Sequence, residues 1–179
     1  EITRVHDPVY LRRVQNGELT DREVRRIGLP WSPGLVERAR RSAGATVEAC
    51  FVALDEGVAV HLGGGTHHAF GNQGQGYCVF NDSVIAARSL QAQTHIRHVL
   101  IIDCDVHQGN GTAAIVQNDS SIFTFSIHGK NNFPYHKIKS DLDIGLEDGT
   151  DDSAYLDALR EGVKESLERV RAEFVIYLA

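Results

Sequence analysis

Apolar positions along this chain fall into two rhythms. Predominantly apolar runs at residues 58–62, Val99–Asp103, 122–127 and 174–179 read as strands of a sheet covered on both faces. Helical spacing fills the gaps between them. Thr20 with Glu23 forms a capping-box pattern for a short helix, and Ser32 with Pro33 starts a long one that reaches about Glu56, where Gly57 stops it. Asn81 and Asp82 open a helix through Gln93, and residues 112–117 make a short one. Asp151 and Asp152 begin a helix of about twenty residues, on which Leu156, Leu159, Val163, Leu167 and Val170 recur at helical spacing. Strands alternating with helices predict an α/β protein, a mostly parallel sheet between helical layers, with function at the carboxyl ends of the strands.

Two polar clusters follow such apolar runs. In VLIIDCDVHQGNG, residues 99–111, an apolar strand ends in Asp103, Asp105 and His107. Strand side chains alternate faces, so continued extension aims all three the same way. Burying an unpaired carboxylate costs several kcal/mol or shifts its pKa, and a metal ion is the economical compensation. In GGGTHHAF, residues 63–70, three glycines deliver the adjacent His67 and His68. Neutral imidazoles suit proton transfer near pH 7.

Composition narrows the class further. With 179 residues, 42% hydrophobic and 23% charged, the chain is long enough for a domain-sized core and shows no bias toward disorder. A net charge of −6 and a pI near 5.8 argue against nucleic-acid binding as the main activity. No apolar stretch approaches the ~20 residues of a membrane span, so a cytoplasmic protein is expected. Cys50, Cys78 and Cys104 show no CxxC spacing, and Cys104 is expected to face away from the two aspartates as a small apolar group. The chain holds no methionine and its last residues are strand-like, so an internal fragment cut at both ends is expected. His6, His61, His95, His98, His128 and His136 read as surface or strand-edge histidines, with His128 close enough to Ser126 to line the site. Trp31 reads as a packing anchor, and the acids of 147–152 as a solvated turn and helix start.

These motifs, VHDPVYL, IGLPWSP, GGGTHHAF, GxGYCVFND from Gly74, IIDCDVHQGNGT and FTFSIHG, resemble the histone deacetylase family of zinc-dependent amidohydrolases, within the arginase/deacetylase fold. The likeness covers essentially the whole chain and is nearest to bacterial and class IV-like members. It implies that residues 1–179 are part of a single catalytic domain of three αβα layers. It further implies that Asp105 and His107 ligate zinc, that His67 and His68 are the tandem active-site histidines, and that Asp103 supports His67. Gly76 and Tyr77 match positions that contact the acetamide and wall the acyl-lysine tunnel, with Phe133 opposite. Asp103, Asp105, His107, Ser126 and Ile127 match an inner potassium site, partly through main-chain carbonyls. The third zinc ligand, an aspartate, and a carbonyl-polarising tyrosine are expected beyond Ala179.

The implied chemistry is metal-assisted hydrolysis of an acetylated lysine. Zinc polarises the acetyl carbonyl and acidifies its water, while His68, aided by His67, removes and returns the proton. Asn110 stands where many members have an aspartate partnering the second histidine, which lowers the expected base strength. An acetylated polyamine or other small amide is the alternative substrate. A metal-free binding or scaffold domain is the non-enzymatic alternative. An arginase-type dimetal site would need a carboxylate just after the ligand histidine, where Gln108 and Gly109 stand instead.

Overall fold

The computed structural model describes all 179 residues, which divide into two compact units, Glu1–His95 and Ile96–Ala179. The first unit is helical. After a 3-10 turn at Ile2–Arg4 come α1 (Pro8–Asn16), α2 (Asp21–Ile27), α3 (Pro33–Glu56) and α4 (Asp82–Gln93). Each helix starts on a side chain that accepts otherwise orphaned N–H groups. Asp7 takes those of Val9 and Tyr10, Ser32 that of Leu35, and Asn81 that of Val84, while Thr20 and Glu23 form a complete capping box. The first helix, α1, was not expected, although Asp7 and Pro8 carry the same start signal as Ser32 and Pro33. Its buried face, Tyr10 and Val14, packs with Ile27, Val36, Ala43, Val79, Phe80 and Ile85. Trp31 anchors this cluster and donates its indole N–H to the Val14 carbonyl at 2.7 Å.

The strand expected at 58–62 does not form. Val58, Val60 and Leu62 are exposed, and the residues run as irregular chain. Apolar content alone cannot make a strand, because the backbone needs a ladder partner, and every strand of the sheet lies in the second unit. No strand therefore leads into the histidine loop, contrary to expectation.

The second unit is a four-stranded, wholly parallel sheet in the order β3-β2-β1-β4, from β1 (Val99–Asp103), β2 (Ile122–Gly129), β3 (Leu142–Leu146) and β4 (Phe174–Leu178). Helix α5 (Asn110–Val116) connects β1 to β2, and α6 (Asp152–Arg169) connects β3 to β4. β1 and β2 are buried at nearly every position, the polar Asp103, Thr124, Ser126 and His128 included. One face, Leu100, Ile102, Phe123, Phe125 and Ile127, packs with Tyr155, Ala158, Leu159 and Val163 of α6. Fully burying each such side chain is worth ~1.5–3 kcal/mol, so this layer is a main source of the unit's stability.

Helix α6 is rotated from its expected orientation. Leu156 and Leu167 are exposed, while Gly162 and Ser166 are buried. The cause is a close approach: a side chain at Gly162 would overlap the Phe125 ring, so the helix rests on the sheet through its smallest residue. Helix α6 lies on β2 and β3, and Val175 and Tyr177 of β4 stay exposed. β3, absent from the sequence reading, alternates partly buried and exposed residues, as an edge strand does. No helix is long and apolar enough to cross a membrane.

Candidate functional site

Chain connectivity singles out the end of β1. Successive strands step from β1 to β2 to β3 in one direction, and β4 then lies on the other side of β1. Such a reversal opens a crevice at the carboxyl ends of the strands, where α/β proteins place ligands. Asp103 is the last residue of β1, only 3% exposed, and pairs in register with Ser126 and Leu178. It shares a face with Thr124, Ser126 and His128, whereas Cys104 turns to the α6 side near Tyr155 and Tyr177. Burial pushes the Cys104 thiol up, consistent with an inert packing group.

Beyond Asp103 the strand alternation ends. Asp103 Oδ1 accepts the Asp105 N–H at 3.1 Å, and Asp105 Oδ1 accepts the His107 N–H at 2.7 Å, two successive turns closed by aspartate side chains. The same Asp105 oxygen lies 2.8 Å from His107 Nδ1. Asp105 and His107 are therefore brought together by a bend rather than by the pleat, and their side chains are 38% and 39% exposed. Zinc takes carboxylate oxygen and imidazole nitrogen at about 2.0–2.1 Å in tetrahedral geometry, which leaves two such donors about 3.3 Å apart. Asp105 Oδ1 and His107 Nδ1 are donors of these two types, here at hydrogen-bond distance from each other. The structure holds no group of three or more His, Cys, Asp or Glu side chains arranged to hold a metal ion.

Neighbouring residues shape this end of the sheet. Phe133 sets its ring edge-on to His107, with centroids 6.1 Å apart. The segment after Phe133 is tied down by the buried Gln108, which donates to the Ile138 carbonyl and Asp143 Oδ1, both at 2.8 Å, and accepts the Ile138 N–H at 2.9 Å. Asn110 begins α5 and is buried. Ser126 Oγ lies 3.0 Å from His128 Nδ1, and burial pushes the His128 imidazole below its ordinary value. His128 is thus an interior residue of β2. Ile127 turns its side chain into the apolar layer beside α6, so an ion could meet only its main chain.

In the helical unit, His67 and His68 are both 4% exposed, with ring centroids 4.0 Å apart. Gly65 turns the chain with φ of 83°, and its carbonyl accepts the His67 N–H. Gly76 and Tyr77 form the two central residues of a tight turn with φ of 52° and 64°, closed between Gln75 and Cys78. A positive φ at tyrosine is strained by roughly 1–3 kcal/mol, a cost met where a side chain must be displayed. Two carbonyls at the end of α2 sustain the turn, Arg26 accepting the Gly76 N–H and Ile27 the Tyr77 N–H, and the ring stays largely exposed. His6 is buried, not superficial: its Nε2 accepts the Asn81 N–H at 2.9 Å, and its ring meets Tyr10 and Phe80. Asp82, read from sequence only as a helix start, is also fully buried and bonded into the histidine loop.

A parallel α/β sheet with acid and imidazole side chains at its switch point places those groups where α/β proteins bind ligands. The family model of the histone deacetylase domain matches residues 1–179, and the chain belongs to the histone deacetylase family. An uncharacterized protein of Picosynechococcus is 46% identical over 173 residues, 97% of this chain and 58% of its own length. The histone deacetylase-like amidohydrolase of Pseudomonas aeruginosa is 30% identical over 98% of this chain and 50% of its own, and histone deacetylase 2 of Arabidopsis thaliana is 30% identical over 78% and 37%. The chain thus spans about half the length of these relatives. A crystal structure of a deacetylase homologue from Aquifex aeolicus superposes with a TM-score of 0.84 at 21% identity, covering 98% of this chain and 53% of that one. The fold is accordingly the arginase/deacetylase-like fold.

Proposed function

We propose that this chain supplies the metal- and proton-handling part of a zinc-dependent deacetylase that hydrolyses the acetamide of acetylated lysine. The observation that carries this reading is the Asp105 Oδ1 and His107 Nδ1 donor pair at the end of β1, in a member of the histone deacetylase family. Asp105 and His107 would hold the metal, and a third protein ligand is required to complete such a site. What zinc supplies when bound is Lewis acidity toward the acetamide carbonyl and a more acidic water.

The chain's own residues do the rest. Asp103 fixes the bend that presents Asp105, and Asp105 accepts the His107 backbone N–H, which sets the turn that presents His107. Two imidazolium ions as close as His67 and His68 would repel, so the pair takes and returns one proton at a time, His68 acting as base and His67 as its electrostatic partner. Gly76 and the displayed Tyr77 would contact the acyl-lysine chain, and the roles assigned to Phe133 and Asn110 are a substrate wall and a catalytic amide. Asp103, Ser126 and main-chain carbonyls of Asp105, His107 and Ile127 would hold a structural potassium ion.

The test is made on the intact protein, with acetyl-lysine peptide and an acetylated polyamine compared side by side. The peptide is expected to be the better substrate, and His68→Ala to lower kcat by at least ~10²-fold with metal content unchanged. Turnover of the polyamine alone would replace the substrate assignment. Loss of zinc in step with activity would make His68 a ligand.

A further inference from the structure

The Asp82 carboxylate lies outside the machinery described above, yet it is fully buried and meets no cation among its hydrogen-bond partners. It accepts four hydrogen bonds from neutral donors. Oδ1 takes the Thr66 N–H at 2.8 Å and the Thr66 hydroxyl at 2.7 Å, while Oδ2 takes the Gly65 N–H at 2.9 Å and the Thr46 hydroxyl at 2.7 Å. Three of the four donors belong to the two residues just before His67 and His68. A buried carboxylate is expensive unless fully hydrogen-bonded, and bonds to a charged acceptor are roughly twice as strong as neutral ones. This loop has no strand ladder to hold its backbone, so the Asp82 bonds stand in for one.

The helix on the other side of the loop reinforces the arrangement. Ser42 and Thr46, four apart on α3, both face it. Ser42 Oγ donates to the Gly63 carbonyl at 2.8 Å, and the Thr46 hydroxyl that donates to Asp82 lies 2.9 Å from His61 Nδ1. Gly64 leaves the space in which these groups meet. A Cβ there would lie 2.7 Å from Asp82 Oδ2, 3.0 Å from His61 Nδ1 and 3.1 Å from Thr46 Oγ1.

We infer that Asp82, with Thr46 and the Cβ-free Gly64, is a positioning site for the base pair: it fixes the 63–66 backbone and thereby the imidazoles of His67 and His68. This rests on the proposed base role of that pair. Charge and acceptor character are what the site needs. In Asp82→Asn one oxygen becomes an NH2 group, and either oxygen so replaced would point a donor at a backbone N–H and a hydroxyl.

The experiment uses the intact protein with three variants, Asp82→Asn, Thr46→Val and Thr46→Ser. Amide exchange across residues 63–68 reads the clamp without reference to turnover. Asp82→Asn is expected to expose the Gly65 and Thr66 amides and to lower kcat ~10²-fold with KM within about threefold, as for a group displaced by about 1 Å. Thr46→Val, which keeps the carboxylate and the shape, is expected to lose about tenfold in kcat, and Thr46→Ser to restore it to within about twofold. Faster exchange with unchanged kcat would overturn the inference while leaving the base role of the histidines intact. Wild-type protein that protects these amides but turns over neither acetylated substrate would remove the base role itself, and the positioning role with it. Thr46→Ser as impaired as Thr46→Val would also overturn the inference, since the hydroxyl would then not be the operative group.

Discussion

Acidification from pH 7 to pH 4 should weaken this fold through one buried imidazole. His6 is 2% exposed, and burial pushes its pKa from 6.5 to about 4. The geometry requires the neutral ring, because its Nε2 accepts the Asn81 N–H and a protonated nitrogen would meet that donor with another. As pH falls, the unfolded chain binds the proton first, so this contribution is complete above about pH 6.5 and is lost progressively toward about pH 4. At about 1.4 kcal/mol per unit, the fall from 6.5 to about 4 amounts to about 3 kcal/mol. Wild type and His6→Gln are compared by urea unfolding of the intact protein at several pH values from 7 to 4. Glutamine loses the ring contacts with Tyr10 and Phe80, but that loss is the same at every pH and cancels in the comparison. Wild type should lose about 3 kcal/mol more than the variant across this range. Equal losses, or a His6 ring that titrates near 6.5 in the folded protein by NMR, would refute the reasoning.

Two substitutions of glycine should act in different currencies. At Gly28, whose φ is +81° and where a Cβ would stand 3.0 Å from Tyr77 Cε1, Gly28→Ala should tilt the displayed ring. Steady-state kinetics should show KM for acetyl-lysine peptide raised about tenfold with kcat little changed, as for lost ground-state binding. In Gly162→Ala, the gain in helix propensity of about 1 kcal/mol is outweighed by ~1–3 kcal/mol of overpacking against Phe125. Urea unfolding should show net destabilisation, and a stabilised variant would mean that α6 can lift from the sheet freely.

What could be read from the sequence follows from the range of the forces involved. Helix starts at Thr20, Ser32, Asn81 and Asp151 are local: a side chain bonds N–H groups two or three residues on, and all four form as expected. The sheet's central strands are similarly plain, because burial on both faces leaves a predominantly apolar run. Residues 58–62 carry that same run without a ladder partner, and no local rule distinguishes them. The rotation of α6 depends on a single contact, Gly162 with Phe125, 37 positions apart in sequence. At the candidate site, residue types were visible but not their bonding. Pleat alternation placed Asp105 and His107 on one side, whereas nested turns closed by Asp103 and Asp105 bring them together. Asp82 signalled only a helix start, since its partners Thr46, Gly65 and Thr66 lie 16 to 36 residues away.

Metal dependence of turnover in the intact protein tests the central claim most directly. Purified protein is assayed for zinc and for acetyl-lysine peptide hydrolysis, stripped with a chelator, and assayed again after zinc is returned, with Asp105→Ala and His107→Ala in parallel. About one zinc per chain, loss of hydrolysis on stripping, recovery on addition, and neither metal nor turnover in the two variants are the results predicted. Hydrolysis that persists in the stripped protein, or zinc retained undiminished by both variants, would contradict it.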